Sequence, residues 1–144
     1  MPRAAKSWTC PKCGRRFANR NQWHSCGKFT VQEHLDRAGP KAASLYRQLE
    51  TFLRSLGPVD VSPSGTIIAF KNGATFASVA FRGGRLRVGV LLDHVVDHPR
   101  FVALESVSPE SHAHAFLVNE LGDLDAQAEA WLREAYELAL RRRK

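Results

Sequence analysis

Apolar residues recur at helical spacing in three parts of the chain. A first helix is predicted to begin at Thr30, because Thr30 and Glu33 have the spacing of a capping box, and to end at Gly39-Pro40. A second helix is predicted over about 41–56 and a third over about 123–140, each with one apolar face. The apolar face of the second consists of Leu45, Leu49, Phe52, Leu53 and Leu56.

An alternation with a period of two replaces this pattern between residues 59 and 118. TIIAF, TFASVAF and RLRVGVLL are predicted strands, separated by hairpin signals at 71–73 and 83–84. In the third of them, Arg85 and Arg87 point away from the apolar side. ALESVS and HAHAFLV, joined by Pro109-Glu110, predict another hairpin. The expected fold class is α+β, a sandwich in which helices cover one face of an antiparallel sheet of about five strands.

Charge separates the start of the chain from the rest. The net charge is +7. Residues 1–29 hold seven Lys or Arg and no Asp or Glu, while residues 30–144 hold 14 basic and 14 acidic residues. All of the excess positive charge therefore lies in the first segment, which indicates nucleic acid as a partner. Two domains are predicted, a small module at 1–29 and an α+β domain at 30–144.

The three cysteines lie in the same basic segment. Cys10-x2-Cys13 places two thiolates on a tight turn, and His24-x-Cys26 supplies two further ligands. A Cys3His set closes a tetrahedral shell, which is typical of structural rather than catalytic zinc. Because so short a unit buries too little surface to fold alone, the metal must supply its stability. We predict one structural Zn²⁺ per chain at Cys10, Cys13, His24 and Cys26.

Two other interpretations of the cysteines remain open. They could be free cytosolic thiols, or Cys10 and Cys13 could form a redox pair, which requires a preceding strand and a following helix. No strand is predicted before Trp8, which disfavours the redox pair. His34 competes as the fourth zinc ligand, although its place on the first helix is expected to turn it to solvent.

The motifs resemble a bacterial family with a zinc-ribbon start, domain of unknown function 5655. CPKCGRRF, NQWHSCG and TVQEHL resemble its beginning, and GTIIAFK, TFASVAF, LRVGVLL, DHPRF and LDAQAEAWLREAYELA resemble its later blocks. The resemblance covers nearly the whole chain. It implies the fold, and it implies no settled activity.

Further polar residues of the second domain suggest a ligand site. Lys71, Phe76 and Arg87 are predicted to line an anion pocket on the open face of the sheet, with Arg85 and Arg100 beside them and Phe76 as a stacking surface. Charged side chains are also usual at the outward-facing positions of a half-buried strand. His94, His98, His112 and His114 allow a second metal site or an acid–base pair, or are ordinary turn and strand positions.

Composition limits the class of protein. The chain is 44% hydrophobic and 24% charged, as in ordinary soluble domains, and no apolar run approaches the length of a membrane span. No signal peptide is recognised, so a cytoplasmic protein with no membrane partner is expected.

Three functions fit these observations. The first is a non-enzymatic accessory protein that binds DNA or RNA, with phosphate contacts from Lys12, Arg15, Arg16, Arg20 and Lys28 and base stacking by Trp23. The second is an adapter whose zinc module docks on a protein partner. The third is a small-ligand domain that uses the basic face of the sheet.

Overall fold

The computed structural model describes residues 8–9, 16–17 and 30–142. In chain order the elements are β1 (Trp8–Thr9), β2 (Arg16–Phe17), α1 (Val31–Ala38), α2 (Pro40–Leu56), β3 (Asp60–Pro63), β4 (Ile68–Asn72), β5 (Ala74–Arg82), β6 (Arg85–Leu92), β7 (Phe101–Ser108), β8 (Ser111–Val118), a 3₁₀ turn (Leu121–Asp123) and α3 (Ala126–Arg142).

The helices begin where side chains satisfy free backbone N–H groups. At α1, the hydroxyl of Thr30 accepts from Glu33 N at 3.1 Å, and the carboxylate of Glu33 accepts from Thr30 N at 3.0 Å. The predicted capping box is therefore confirmed. The third helix begins later than predicted, at Ala126, because Asp125 caps it by accepting from Ala128 N at 3.0 Å. Residues 121–123 form the separate 3₁₀ turn.

The main sheet is antiparallel and has six strands in the order β3-β4-β5-β6-β8-β7. The expected count of about five was too low, because β3 has the sequence DVSP and lacks the pattern of a strand. Pro63 cannot donate to a ladder, and β3 is an edge strand, where proline is tolerated. In addition, β8 lies between β6 and β7, so the last hairpin folds back with β7 at the far edge.

One face of this sheet forms the core with the helices. Phe70, Val88 and Phe116 are fully buried on that face, together with Tyr46 and Leu49 of α2. From α3, Leu132 and Ala135 belong to the same cluster. The α+β class is thus confirmed, and within the described part of the chain no helix covers the opposite face of the sheet, called the open face below. None of the described helices is long and apolar enough to cross a membrane.

Candidate functional site

The predicted zinc ligands lie outside the described residues, as do Lys12, Arg15, Arg20, Trp23 and Lys28. What is described there is a short antiparallel pair of strands. Trp8 pairs with Phe17 and Thr9 pairs with Arg16. Along the chain, Cys10 and Cys13 fall within the six-residue connection between the two strands. For Arg16, only the backbone pairing is described.

This strand pair changes one step of the sequence argument. The expectation that no strand precedes Trp8 concerns residues 1–7, which lie outside the described residues, but β1 itself ends at Thr9, directly before Cys10. A redox Cys-x-x-Cys motif opens a helix, however, whereas the residues that follow here, Arg16 and Phe17, form a strand. A strand rather than a helix at 16–17 disfavours the redox pair.

His34 is not turned to solvent. Its side chain is buried, and its Nε2 donates to the carbonyl oxygen of Ser64 at 2.6 Å. Its ring also stacks on Phe81 with centroids 5.8 Å apart. Sequence analysis placed it outward because a lone histidine in a polar helix carries no sign of burial. These contacts give His34 a role in joining α1 to the loop before β4.

The structure does not bring Lys71, Phe76 and Arg87 together. Lys71 pairs with Thr75 of β5, and Arg87 pairs with Ala80 of the same strand. Five residues of strand therefore separate them, about 17 Å at the usual rise. Lys71 lies instead opposite Asp60 of β3.

Phe76 faces the helices and not the open face. The register shifts by one residue between Phe70 and Lys71, so that Phe76 is the extra residue of a β-bulge. The bulge turns its ring into the core, where it is 1% exposed and meets Tyr136 edge-on at 5.2 Å. Strict alternation along β5 would have placed Phe76 beside Ser78 on the open side, which is why the prediction failed.

Arg100 also leaves the predicted pocket. Its guanidinium donates to the carboxylate of Asp125 at 2.9 Å and to the carbonyl oxygen of Asp123. It lies over the rings of Phe116 and Trp131, 5.4 and 6.0 Å from their centroids. Arg100 therefore fastens the loop before β7 to the start of α3. The Ala128 amide and then Arg100 lower the pKa of Asp125 below its ordinary value.

Arg87 instead belongs to an arginine cluster on the open face. Arg82 and Arg85 are direct cross-strand partners at the end of the β5–β6 hairpin, and Arg87 follows Arg85 two residues later on the same side. Arg82 and Arg85 are exposed, and Arg87 is half-buried. Among the described residues, the ion pairs of the chain involve none of these three guanidinium groups. Arg82 was not among the predicted pocket residues, although the Gly83-Gly84 turn signal was enough to place it opposite Arg85.

A shallow groove extends from this cluster across the open face. It has a volume of about 370 Å³, and Arg82 and Arg87 lie in its wall. Its floor is made of small side chains: Ser78, Ala80, Gly89, Ala103, Ala113 and Ala115. Glu105 also lines the groove. It lies two strands across from Arg87 and four residues further along the strand direction, so the two backbone positions are about 16 Å apart. Among the described residues, the groove thus has a cationic end and a neutral floor, and the one carboxylate that lines it is well removed from the arginines.

A second polar cluster lies between the loop after β6 and α3. Nδ1 of His94 lies 2.7 Å from Asp93 Oδ1, and its Nε2 lies 3.7 Å from Glu134 Oε2. The hydrogen bond to Asp93 raises the pKa of His94 above its ordinary value. All three side chains are at least two-fifths exposed, so water screens their mutual attraction. The cluster is an exposed ionic contact between loop and helix.

His114 is a structural residue of the core. Its Nε2 accepts from Val96 N at 3.0 Å, and its Nδ1 donates to the carbonyl oxygen of His112 at 3.0 Å. Both bonds together require the neutral ring, because Nε2 must keep its lone pair. Burial lowers the pKa of His114 below that of an ordinary histidine. His112 is half-buried and contacts Ser106 and Pro109, and the two rings share the core-facing side of β8, as their spacing predicts.

We expect the His114 contact to make the protein less stable in mild acid. The pKa of His114 is lower in the folded protein than in the unfolded chain. Its contribution to the free energy of unfolding is therefore fully present above the unfolded pKa of about 6.5, and it is lost as the pH falls through the pKa of the folded protein. Urea unfolding at pH 7.5 and 5.5 measures this loss. The loss should be smaller in His114→Gln, and equal losses in wild type and His114→Gln would contradict the assignment.

Comparison with known proteins adds a family and no activity. A family profile described as Domain of unknown function (DUF5655) matches residues 31–139. The chain belongs to this family. Neither a curated protein nor a solved structure matches the chain. The DUF5655 match begins at the first residue of α1 and ends within α3, so it covers the sheet and its helices and carries no residue of the 1–29 segment.

Proposed function

We propose that this DUF5655 protein is a non-enzymatic, zinc-binding accessory protein that associates with nucleic acid through residues 1–29. The observation that carries the proposal is the partition of charge. Seven basic and no acidic residues precede residue 30, and the basic and acidic residues after it balance at 14 each. Phosphates attract such a segment whatever their sequence, so the contacts are expected to hold the backbone with little base readout.

In this proposal, a bound zinc ion determines the structure of residues 1–29. Cys10, Cys13, His24 and Cys26 form the Cys3His shell, which has no open coordination position and therefore supplies structure rather than chemistry. The pairing of β1 with β2 around the Cys10–Cys13 connection supports such a knuckle. The metal would hold Lys12, Arg15, Arg16, Arg20 and Lys28 on one small rigid unit, with Trp23 available for stacking on a base.

Neutralising part of the segment is the test. About four phosphate contacts give a slope of log affinity against log salt of roughly −3 to −4. Replacing Arg15, Arg16 and Arg20 together by Gln should flatten this slope by about 2–3 units without releasing zinc, because none is a ligand. Fluorescence anisotropy with labelled single-stranded and duplex DNA and RNA measures it.

A variant at Trp23 separates stacking from charge. Base–aromatic stacking contributes roughly 1–3 kcal/mol in single-strand binding. Trp23→Ala should therefore weaken single strands more than duplexes. If the triple Gln variant and the wild type share one slope, the basic segment makes no phosphate contacts, and docking on a protein partner becomes the better account.

A further inference from the structure

The arginine cluster Arg82, Arg85 and Arg87 has no part in the function proposed so far. We propose that it is a second phosphate-contacting site, on which a nucleic-acid strand held by residues 1–29 continues. The inference rests on the proposed function and extends it to the open face of the α+β domain.

Charge is the first reason. Two like charges placed directly across a strand pair destabilise the sheet, since the Cβ atoms of such partners are only about 5 Å apart. Arg82 and Arg85 are such partners, and Arg87 adds a third positive charge on the same face. Among the described residues no carboxylate forms an ion pair with any of them. An external polyanion would supply the missing countercharge.

Rigidity is the second reason. Gly83 and Gly84 have φ values of 57° and 84°, which are the left-handed conformations of a two-residue hairpin turn. The turn fixes the spacing of the two flanking arginines. A guanidinium group offers paired N–H donors that suit phosphate oxygens. Because the β-strands hold the backbone of these arginines in place, less entropy is lost on binding.

The shape of the open face is the third reason. Among the described residues, most side chains that line the groove beside Arg82 and Arg87 are no larger than serine, with Ile67 and Leu104 as the larger exposed apolar exceptions, and the described helices lie on the other side of the sheet. At Gly89 even a methyl group would meet Ser78 Oγ at 3.0 Å. A nucleic-acid strand could therefore lie close to the sheet there, with its phosphates toward the arginines and away from Glu105.

The point at which residues 1–29 join the α+β domain lies at the start of a route to the arginine cluster along α1. Residues 1–29 are attached at Thr30, the N-cap of α1. Arg37 lies about 10 Å further along that helix, at the usual rise per residue. A cavity of about 320 Å³ lies between α1 and the hairpin turn, with Arg37 on one side and Gly83 and Gly84 on the other. A nucleic-acid strand that passes Thr30 would thus meet Arg37 before it reaches the cluster.

The test compares two variants of equal charge. Arg82→Gln/Arg87→Gln removes the arginines that line the groove, and Arg47→Gln/Arg141→Gln removes two exposed arginines elsewhere. Binding of a labelled 20-mer single strand to the zinc-loaded full chain is measured across a salt series. The first variant should reduce the slope of log affinity against log salt by about 1.4, at about 0.7 per phosphate contact. The control should keep the wild-type slope. A third variant, Ala113→Leu, fills the groove floor without changing charge and should lower affinity several-fold at constant slope.

The outcomes separate this inference from the proposed function. If wild type binds and the Arg82/Arg87 variant keeps its slope, the cluster makes no contact, while binding by residues 1–29 stands. If both double variants flatten the slope equally, the effect is net charge alone, and the inference is wrong. If the zinc-loaded wild type binds no strand at low salt, the proposed function fails and the inference falls with it.

Discussion

Replacing Gly57 by alanine is expected to lower the free energy of unfolding by about 4 kcal/mol. Gly57 has φ of 146°, which is unfavourable for any residue with a Cβ. The added methyl group would also overlap the hydroxyl of Tyr136. Backbone strain and overpacking each contribute roughly 1–3 kcal/mol. Urea unfolding followed by circular dichroism measures the loss.

The ring of Tyr136 cannot easily move away. It is 3% exposed, meets Phe76 edge-on at 5.2 Å, and its hydroxyl donates to the Pro58 carbonyl at 3.1 Å. Relief of the overlap would therefore cost that hydrogen bond and part of the packing. Tyr136→Phe removes the overlapped oxygen, so the double variant Gly57→Ala/Tyr136→Phe should lose less than the sum of the single variants.

A second glycine with positive φ but open space around it provides a comparison without the contact. Gly83 has φ of 57°, and a methyl group added there would have nothing within 4 Å, so Gly83→Ala should cost only about 1–2 kcal/mol. Equal losses at Gly57 and Gly83 would mean that the contact with Tyr136 is not important.

Removing one zinc ligand is expected to abolish metal binding. Structural zinc contributes roughly 10–16 kcal/mol to small finger modules, and an incomplete shell forfeits most of it. Purified wild type should carry about one zinc per chain, whereas Cys13→Ser and Cys26→Ser should carry almost none by elemental analysis. The His34→Gln variant should still bind zinc, because His34 Nε2 already forms a hydrogen bond with the carbonyl oxygen of Ser64.

The same variants test whether the two predicted domains are independent. Among the described residues, the core cluster of the α+β domain is formed from α1 onwards, so we expect chelation to leave its cooperative unfolding nearly unchanged. Full zinc content in Cys26→Ser would overturn the ligand assignment. Melting of the whole chain on chelation would overturn the division at residue 30.

Local signals predicted much of this fold. The capping box at Thr30, the apolar face of α2 and the Gly83-Gly84 turn each depend on residues close together in sequence, and all are present in the structure. The faces of β6 follow from simple alternation, and its burial pattern confirms that Arg85 and Arg87 point away from the core.

The failures come from effects that a local pattern does not carry. The bulge at Phe70–Lys71 reversed the side of Phe76, and β3 was missed because an edge strand tolerates a polar sequence with proline. The burial of His34 depends on Ser64, thirty residues away. The insertion of β8 between β6 and β7 also depends on long-range pairing, so the part of the open-face groove lined by β7 and β8 could not be predicted, although Arg87 was expected on that face.

The most direct test of the account is the salt dependence of nucleic-acid binding by the zinc-loaded wild-type chain. Zinc content is measured on the same sample, and labelled DNA and RNA are titrated from low to moderate salt. The account predicts binding that weakens with a slope of about −3 or steeper. A chain that holds one zinc and binds neither DNA nor RNA at low salt would contradict it.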